Sequence, residues 1–160
     1  MQHIKSIKPF YKITARTVIH KLNFRHWASI IESAKEIGLD QISFLPADVS
    51  SEAFNREIAW NEPRQQEILP AKEELAEFQT ILQELIEHYK ADFESGFIAE
   101  SPEKLQKIYA YYAACYQLNS FPYKKCNAPW VSAVIEADGS VRQCFFHKSF
   151  CNIKENRLDR

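Results

Sequence analysis

The chain has 160 residues, of which 46% are hydrophobic and 26% are charged, and its formal net charge is −1 at pH 7. This size and composition are typical of a soluble globular protein with one substantial core. Lys and Arg are scattered, so the sequence lacks the basic surface that tracks phosphates and argues against a nucleic-acid partner. No apolar run approaches the roughly 18 residues of a membrane span, so a membrane is not expected as a partner either.

The first residues, "MQHIKSIKPFYKI", lack the continuous apolar stretch of a signal peptide, which predicts a cytoplasmic protein. Cytoplasmic thiols stay reduced, so the four cysteines favour metal binding or burial over disulfide formation. Only three glycines are present, too few for a phosphate-cradling loop or a dinucleotide fingerprint.

Residues 13 to 46 predict a strand, a helix and a second strand. The β-branched run Ile13–Leu22 predicts the first strand. Apolar residues at helical spacing from Trp27 onward predict a helix that ends with Gly38 at its C-cap. The stretch "DQISFLP" predicts a short buried strand closed by Pro46. Such a unit pairs its strands in parallel, and two parallel strands alone do not complete a sheet. The strands are therefore expected to leave apolar edges open, which favours self-association.

The middle of the chain predicts helices. Residues 47–70 predict a loop with one short helix. A helix of about five turns follows, and its apolar stripe consists of Leu75, Phe78, Leu82, Leu85, Ile86 and Tyr89. The next helix opens with Ser101 as N-cap and Pro102 at its first position. Cys115 falls on the apolar face of that helix and is expected to be a core thiol.

The segment "CNAPWVSAVIEADGSVRQCFFHKSFC", residues 126–151, contains the other three cysteines. Two β-rich runs flank Asp138-Gly139, a dipeptide that favours a two-residue hairpin turn. With that turn, Cys144 faces Ala133 and Cys126 lines up with Cys151.

Several chemistries remain open for these cysteines. A disulfide between Cys126 and Cys151 suits the register but not the compartment. Zinc would take three sulfurs and one imidazole, from Cys126, Cys144, His147 and Cys151. An iron–sulfur cluster needs three or four thiolates and a shield from water, which nearby aromatic residues could supply: Trp130, Phe145, Phe146 and Phe150. Structural thiols and ordinary hairpin packing of the aromatic residues are the remaining interpretation.

The spacing C-x12-G-x4-C, formed by Cys126, Gly139 and Cys144, resembles the opening of the SPASM or twitch extension of radical S-adenosylmethionine (radical SAM) enzymes. The resemblance implies that Cys126 and Cys144 begin the site of an auxiliary four-iron four-sulfur (4Fe-4S) cluster. The family commonly has glycine at the position of Cys151, so Cys151 is an additional ligand or a simple thiol.

Residues 17–49 are similar to the last strand–helix–strand of the radical SAM partial barrel. The resemblance implies a fold between α/β and α+β. Residues 1–50 would end a partial (β/α)6 barrel, 51–120 would form a helical connector, and 121–160 would begin the auxiliary cluster domain. It also places Asn23, Leu45 and Pro46 near S-adenosylmethionine. The simpler interpretation, which we favour, is that Asn23 caps a helix and Pro46 ends a strand.

The family's C-x3-C-x2-C loop, which holds the radical-initiating cluster, is absent from this sequence. The resemblance therefore implies the C-terminal part of a radical SAM enzyme, cut at both ends and inactive alone, with no catalytic residue of its own. Its expected partners are the N-terminal barrel half, in the same protein or a split one, and a peptide substrate. S-adenosylmethionine would bind only in the complete enzyme. The alternative is a small zinc-stabilised, peptide-binding module without catalysis.

Overall fold

The computed structural model describes residues 10–51, 58, 60–122 and 126–155, and the chain divides into two compact units. The first unit contains the described residues of Met1–Ala47 and Glu62–Pro122, and the second those of Asp48–Asn61 and Tyr123–Arg160. Most of the predicted helical connector thus belongs to the same unit as the predicted end of the barrel. No helix in the described part of the chain is long and apolar enough to cross a membrane.

The described residues form helices and two small sheets. The first unit contains, in chain order, β1 (Thr14–Ile19), α1 (Trp27–Glu36), β2 (Gln41–Pro46), α2 (Glu62–Ile68), α3 (Leu75–His88), α4 (Lys90–Glu94) and α5 (Pro102–Cys115). Short 3-10 turns precede α1 and α3, at Phe24–His26 and Lys72–Glu74. The second unit contains α6 (Ala128–Val131), β3 (Val134–Ile135), β4 (Ser140–Arg142) and β5 (Cys151–Asn152).

The predicted strand–helix–strand is confirmed. β1 and β2 pair in parallel, with Ile19 opposite Pro46 at their carboxyl ends. β1 ends at Ile19 and not at the predicted Leu22, because the Asn23 side chain closes a turn. Its Oδ1 accepts the His20 N–H at 2.8 Å, and its Nδ2 donates to the Val18 carbonyl at 2.9 Å. Asn23 occupies the N-cap position of the following 3-10 turn as predicted, but its side chain makes no capping bond there.

The helix between the two strands ends as predicted, at Gly38. This glycine has φ +75°, in the left-handed region. Its N–H donates to the Lys35 carbonyl at 2.9 Å, and the Leu39 N–H donates to the Ala34 carbonyl at 3.0 Å. These two bonds form a Schellman cap, which satisfies carbonyls that the helix end would otherwise leave unpaired.

The outer edge of β2 is not open, contrary to the expectation from sequence. The Ile42 N–H donates to the Phe97 carbonyl at 2.8 Å, and the Ala99 N–H donates to the Ile42 carbonyl at 2.9 Å. The Glu100 carboxylate accepts the Phe44 N–H at 2.9 Å. Among the described residues, by contrast, β2 is the only strand that pairs with β1.

The core of the first unit is aromatic. Trp27 packs against Phe44 and Phe78, with ring centroids 5.3 and 5.9 Å apart. The predicted stripe of α3 is buried at Leu75, Phe78, Leu82 and Leu85. Ser101 caps α5 as predicted, since its side chain accepts the Lys104 N–H at 3.4 Å. Cys115, at the end of α5, is half-buried and not a full core residue.

The second unit has a small antiparallel sheet in the order β3-β4-β5. Val134 lies opposite Arg142, and Ile135 opposite Val141. The predicted two-residue turn is wrong by one residue. The Gly139 N–H donates to the Glu136 carbonyl at 2.9 Å, and Gly139 has φ +91°. This is a three-residue loop with glycine in the bulge position. The shifted register removes the predicted alignment of Cys126 with Cys151.

Candidate functional site

The β3–β4 turn is held by the Asp138 side chain. Its Oδ1 accepts the Ser140 N–H, and its Oδ2 accepts the Ser140 hydroxyl, both at 2.9 Å. These two bonds favour the carboxylate and lower the pKa of Asp138 below its ordinary value. Aspartate commonly stabilises turns in this way, by bonding the backbone two residues later.

Asn152 on β5 locks the same turn, and sequence reasoning missed it. Its Nδ2 donates to the Asp138 carbonyl at 3.2 Å, while the Ile153 N–H donates to the Gly139 carbonyl at 2.9 Å. A Cβ at Gly139 would lie 2.6 Å from the Asn152 Oδ1. Gly139 is therefore required twice, by its positive φ and by the approach of β5. Asn152 lies 13 residues from Gly139 in sequence, and no local pattern marks that pairing.

The three cysteines of the second unit lie around this sheet. Cys126 is exposed and precedes α6, whereas Cys144 follows β4 and is half-buried. Cys151 begins β5 opposite Val141 and is also half-buried. All are free thiols, so the structure contains no disulfide between Cys126 and Cys151.

Cys144 begins one loop, residues 144–150, which we call the aromatic loop, and Cys151 directly follows it. The His147 N–H donates to the Cys144 carbonyl at 3.0 Å, which makes a tight turn. The Arg142 guanidinium donates to the His147 carbonyl at 3.2 Å. The Phe150 N–H donates to the Val141 carbonyl at 3.0 Å. The loop is therefore fixed at both ends and at its middle.

Arg142 is a second residue that sequence reasoning missed. Its guanidinium Nε lies 3.1 Å from the Glu136 carboxylate, and both side chains are largely buried. The sequence offered one indication of this pair: Glu136 and Arg142 have opposite charges and lie on the two sides of the turn. The ion pair connects β4 to the end of β3, and the hydrogen bond from Arg142 to the His147 carbonyl connects β4 to the aromatic loop.

The donor atoms suit a soft metal, but their arrangement in the structure does not form a site. Three thiols within one small unit are the ligand type that zinc and iron–sulfur clusters prefer. Within the described ranges, however, no three His, Cys, Asp or Glu residues are grouped so that they could hold a metal ion. The aromatic residues predicted as a shield are exposed: Trp130, Phe145, Phe146 and Phe150. The predicted ligand set Cys126, Cys144 and Cys151 therefore stays a prediction.

The residues predicted near S-adenosylmethionine lie together at the carboxyl edge of β1 and β2. Leu45 is opposite Val18, whose carbonyl accepts the Asn23 amide, and Pro46 is opposite Ile19. Both polar groups of the Asn23 side chain are used within the chain. Pro46 ends its strand as the simpler interpretation required. A role for these residues in S-adenosylmethionine binding stays a prediction.

Tyr112 of α5 closes this edge, although the sequence marked it only as part of an apolar face. Its buried hydroxyl donates to the Ile19 carbonyl and accepts the Ala47 N–H at 2.8 Å. Burial raises the pKa of this phenol well above its ordinary value, so it stays protonated. Tyr112 thus fixes the carboxyl ends of both strands with one oxygen atom.

Comparison with known proteins adds no relative. No protein-family model matches this chain, and neither a curated protein nor a solved structure matches it. The interpretation of the site therefore depends on the chemistry and placement of its own residues.

Proposed function

We propose that this chain is the C-terminal part of a radical SAM enzyme, in which Cys126, Cys144 and Cys151 contribute to an auxiliary iron–sulfur site used in peptide or protein modification. The observation that supports the proposal is that one fixed loop joins Cys144, just after the hairpin that Gly139 turns, to Cys151 at the start of β5. Both sulfurs are free thiols.

The donor set also supports this proposal. The second unit has three free thiols and, among its described residues, only Val49 and Val141 as buried apolar side chains. Small domains with too little core commonly depend on metal or disulfide cross-links. Bound there, a cluster would supply electron transfer or a coordination position for substrate. Metal binding would require the sulfurs to approach one another more closely than in the structure.

The edge of β1 supports the expected N-terminal partner. Within the described residues this strand pairs on one side only. Beside it lies an open groove of about 300 Å³. Apolar residues that line this groove include Ala15, Ile30, Ile37 and Leu39. Parallel sheets are normally covered and extended on such edges. A further strand and helix from the barrel's N-terminal half would fill both positions.

Anaerobic reconstitution with iron and sulfide tests the proposal. We expect bound iron and sulfide with visible charge-transfer absorption in the wild type, and loss of both in Cys126→Ala and Cys144→Ala. Cys151→Ala shows whether the third sulfur is a ligand. Cys115→Ala is the matched control, since this cysteine belongs to α5 of the first unit. Equal iron content in the wild type and in Cys144→Ala would refute the ligand assignment.

A zinc-stabilised, peptide-binding module is the second candidate, and one observation favours it. The bond from the His147 N–H to the Cys144 carbonyl places an imidazole three residues from a thiol in one turn. That spacing suits zinc, which binds cysteine and histidine together. Zinc at about one ion per colourless chain, lost in His147→Ala, would support this candidate over the cluster.

A further inference from the structure

The aromatic loop exposes large apolar side chains to solvent. Phe146 and Phe150 are 62% and 63% exposed, and Phe145 is 41% exposed. Trp130, on the preceding helical turn of the same unit, is 85% exposed. Burial of apolar surface is favourable, so a cluster of exposed aromatic residues marks an interaction surface.

The exposure does not come from a loose segment. Hydrogen bonds from His147, Arg142 and Phe150 fix the loop to its own turn and to β4. The phenylalanines are therefore held outward by a braced backbone. Rigid aromatic side chains give binding energy at a small entropic cost, which makes them efficient anchors.

Charge identifies the kind of partner. Within the aromatic loop, residues 144–150, the sequence contains Lys148 and His147 but no aspartate or glutamate. Lys148 and His147 are exposed within the aromatic loop itself. A surface that combines aromatic anchors with cations complements a partner with apolar and acidic groups.

The strand next to the loop supplies a backbone for an extended partner. β5 lies at the end of the β3-β4-β5 order and pairs only with β4 among the described residues. An extended peptide can add to such an edge, and its alternate side chains then point toward one face. The half-buried Cys151 belongs to β5 itself, and the half-buried Cys144 begins the aromatic loop that leads to it.

We infer that the aromatic loop and the β5 edge bind an acidic peptide in an extended conformation, with apolar side chains against Phe146 and Phe150 and carboxylates against Lys148. The inference rests on the proposed function, which supplies the reason for a peptide beside Cys144 and Cys151. It adds the chemical class of the peptide and the surface that selects it.

Fluorescence anisotropy with the full chain tests this inference. The probe is a fluorescein-labelled, twelve-residue peptide that alternates glutamate with leucine and phenylalanine. The comparison peptide replaces each glutamate by lysine. We expect the acidic peptide to bind about tenfold or more tightly than the lysine peptide, and added salt to reduce the difference.

Two matched pairs of variants locate the surface. The double substitution Phe146→Ser and Phe150→Ser is expected to weaken binding about tenfold, whereas Phe10→Ser, at a fully exposed residue of the first unit, leaves it unchanged. Lys148→Glu is expected to weaken the acidic peptide and to improve the lysine peptide. Lys107→Glu, at an exposed position of α5, is its control.

Three results would overturn the inference: equal affinity for both peptides, binding that the loop variants do not change, or binding to phosphatidylserine vesicles without binding to the acidic peptide. Iron content of the same variants separates this inference from the proposed function, because all cysteines are retained. Normal iron uptake without peptide binding would contradict the inference alone. Peptide binding without iron uptake would support the inference and contradict the cluster.

Discussion

The two units of the chain bury their apolar side chains to very different degrees. Among the described residues, all buried hydrophobic side chains except Val49 and Val141 belong to the first unit. Both units expose some large apolar residues, but in the second unit little core accompanies them, and its Trp130 is 85% exposed. The contrast is clearest between the two tryptophans, since Trp27 is 1% exposed.

This difference teaches that the two units are stabilised by different means. The first unit is held by an aromatic core and by Tyr112 at its strand ends. The second is held by a locked turn, a short three-stranded sheet and the ion pair between Glu136 and Arg142. We expect a bound metal or cluster to stabilise the second unit more than the first, because the second unit has a small core and three free thiols.

The largest effect is expected from the buried one of the two tryptophans. Trp27→Ala removes an indole packed against Phe44 and Phe78 and is expected to cost about 3–5 kcal/mol in the free energy of unfolding. Trp130→Ala is expected to change that free energy by less than about 0.5 kcal/mol. Urea denaturation followed by circular dichroism measures both. Similar losses for the two variants would contradict the contrast.

Tyr112→Phe tests how the first unit fixes its strand ends. The substitution leaves the Ala47 N–H without its acceptor and the Ile19 carbonyl without its donor, both in a buried site. We expect a loss of about 1–3 kcal/mol with little change in side-chain volume. Tyr11→Phe, at an exposed position, is the control. An unchanged midpoint for Tyr112→Phe would show that the hydroxyl contributes nothing there.

The turn of the second unit is tested by Gly139→Ala. This variant combines the strain of a positive φ with a clash against Asn152, so we expect a loss of roughly 2 kcal/mol, confined to the second unit. Amide exchange in residues 126–155 reports the change. Gly96→Ala has a similar φ of +74° but an open environment, and about 1 kcal/mol is expected there. Equal effects would remove the role assigned to Asn152.

The smallest effect is expected on the turn of the second unit when the pH is lowered. Because the folded pKa of Asp138 is lowered, its contribution is fully present above the ordinary pKa of 3.8 and is lost as the pH falls through the folded value. We expect the Ser140 amide to exchange faster relative to its intrinsic rate as the pH falls below 3.8. In Asp138→Asn the same amide should lose this pH dependence. A dependence that persists in Asp138→Asn would assign the titration to another group.

Local sequence patterns predicted much of the first unit, whereas contacts between residues distant in sequence were not predicted. Gly38 ends one helix and Ser101 begins another. Both caps were predictable because each involves only residues close in sequence. The hairpin at Gly139 was found, but Asp-Gly suits both a two-residue turn and a three-residue loop with a bulge. In the three-residue loop the Asn152 side chain lies close to Gly139. The predicted two-residue turn has a different register and did not indicate this contact.

The candidate site was less predictable than the fold around it. The sequence identified Cys126, Cys144 and Cys151 as possible ligands, but sulfur positions depend on how the chain bends beyond the hairpin. Arg142 controls part of that bend through its bond to the His147 carbonyl, a contact between a side chain and a distant backbone atom. Such contacts follow from the tertiary structure and have no periodic signature in sequence.

The most direct test of the account is amide hydrogen exchange of the whole chain before and after anaerobic reconstitution with iron and sulfide. We predict that residues 126–155 become more protected while β1, β2 and α3 stay unchanged, and that Cys144→Ala abolishes the added protection. Iron uptake that leaves exchange in residues 126–155 unaltered would contradict the claim that these cysteines hold the metal.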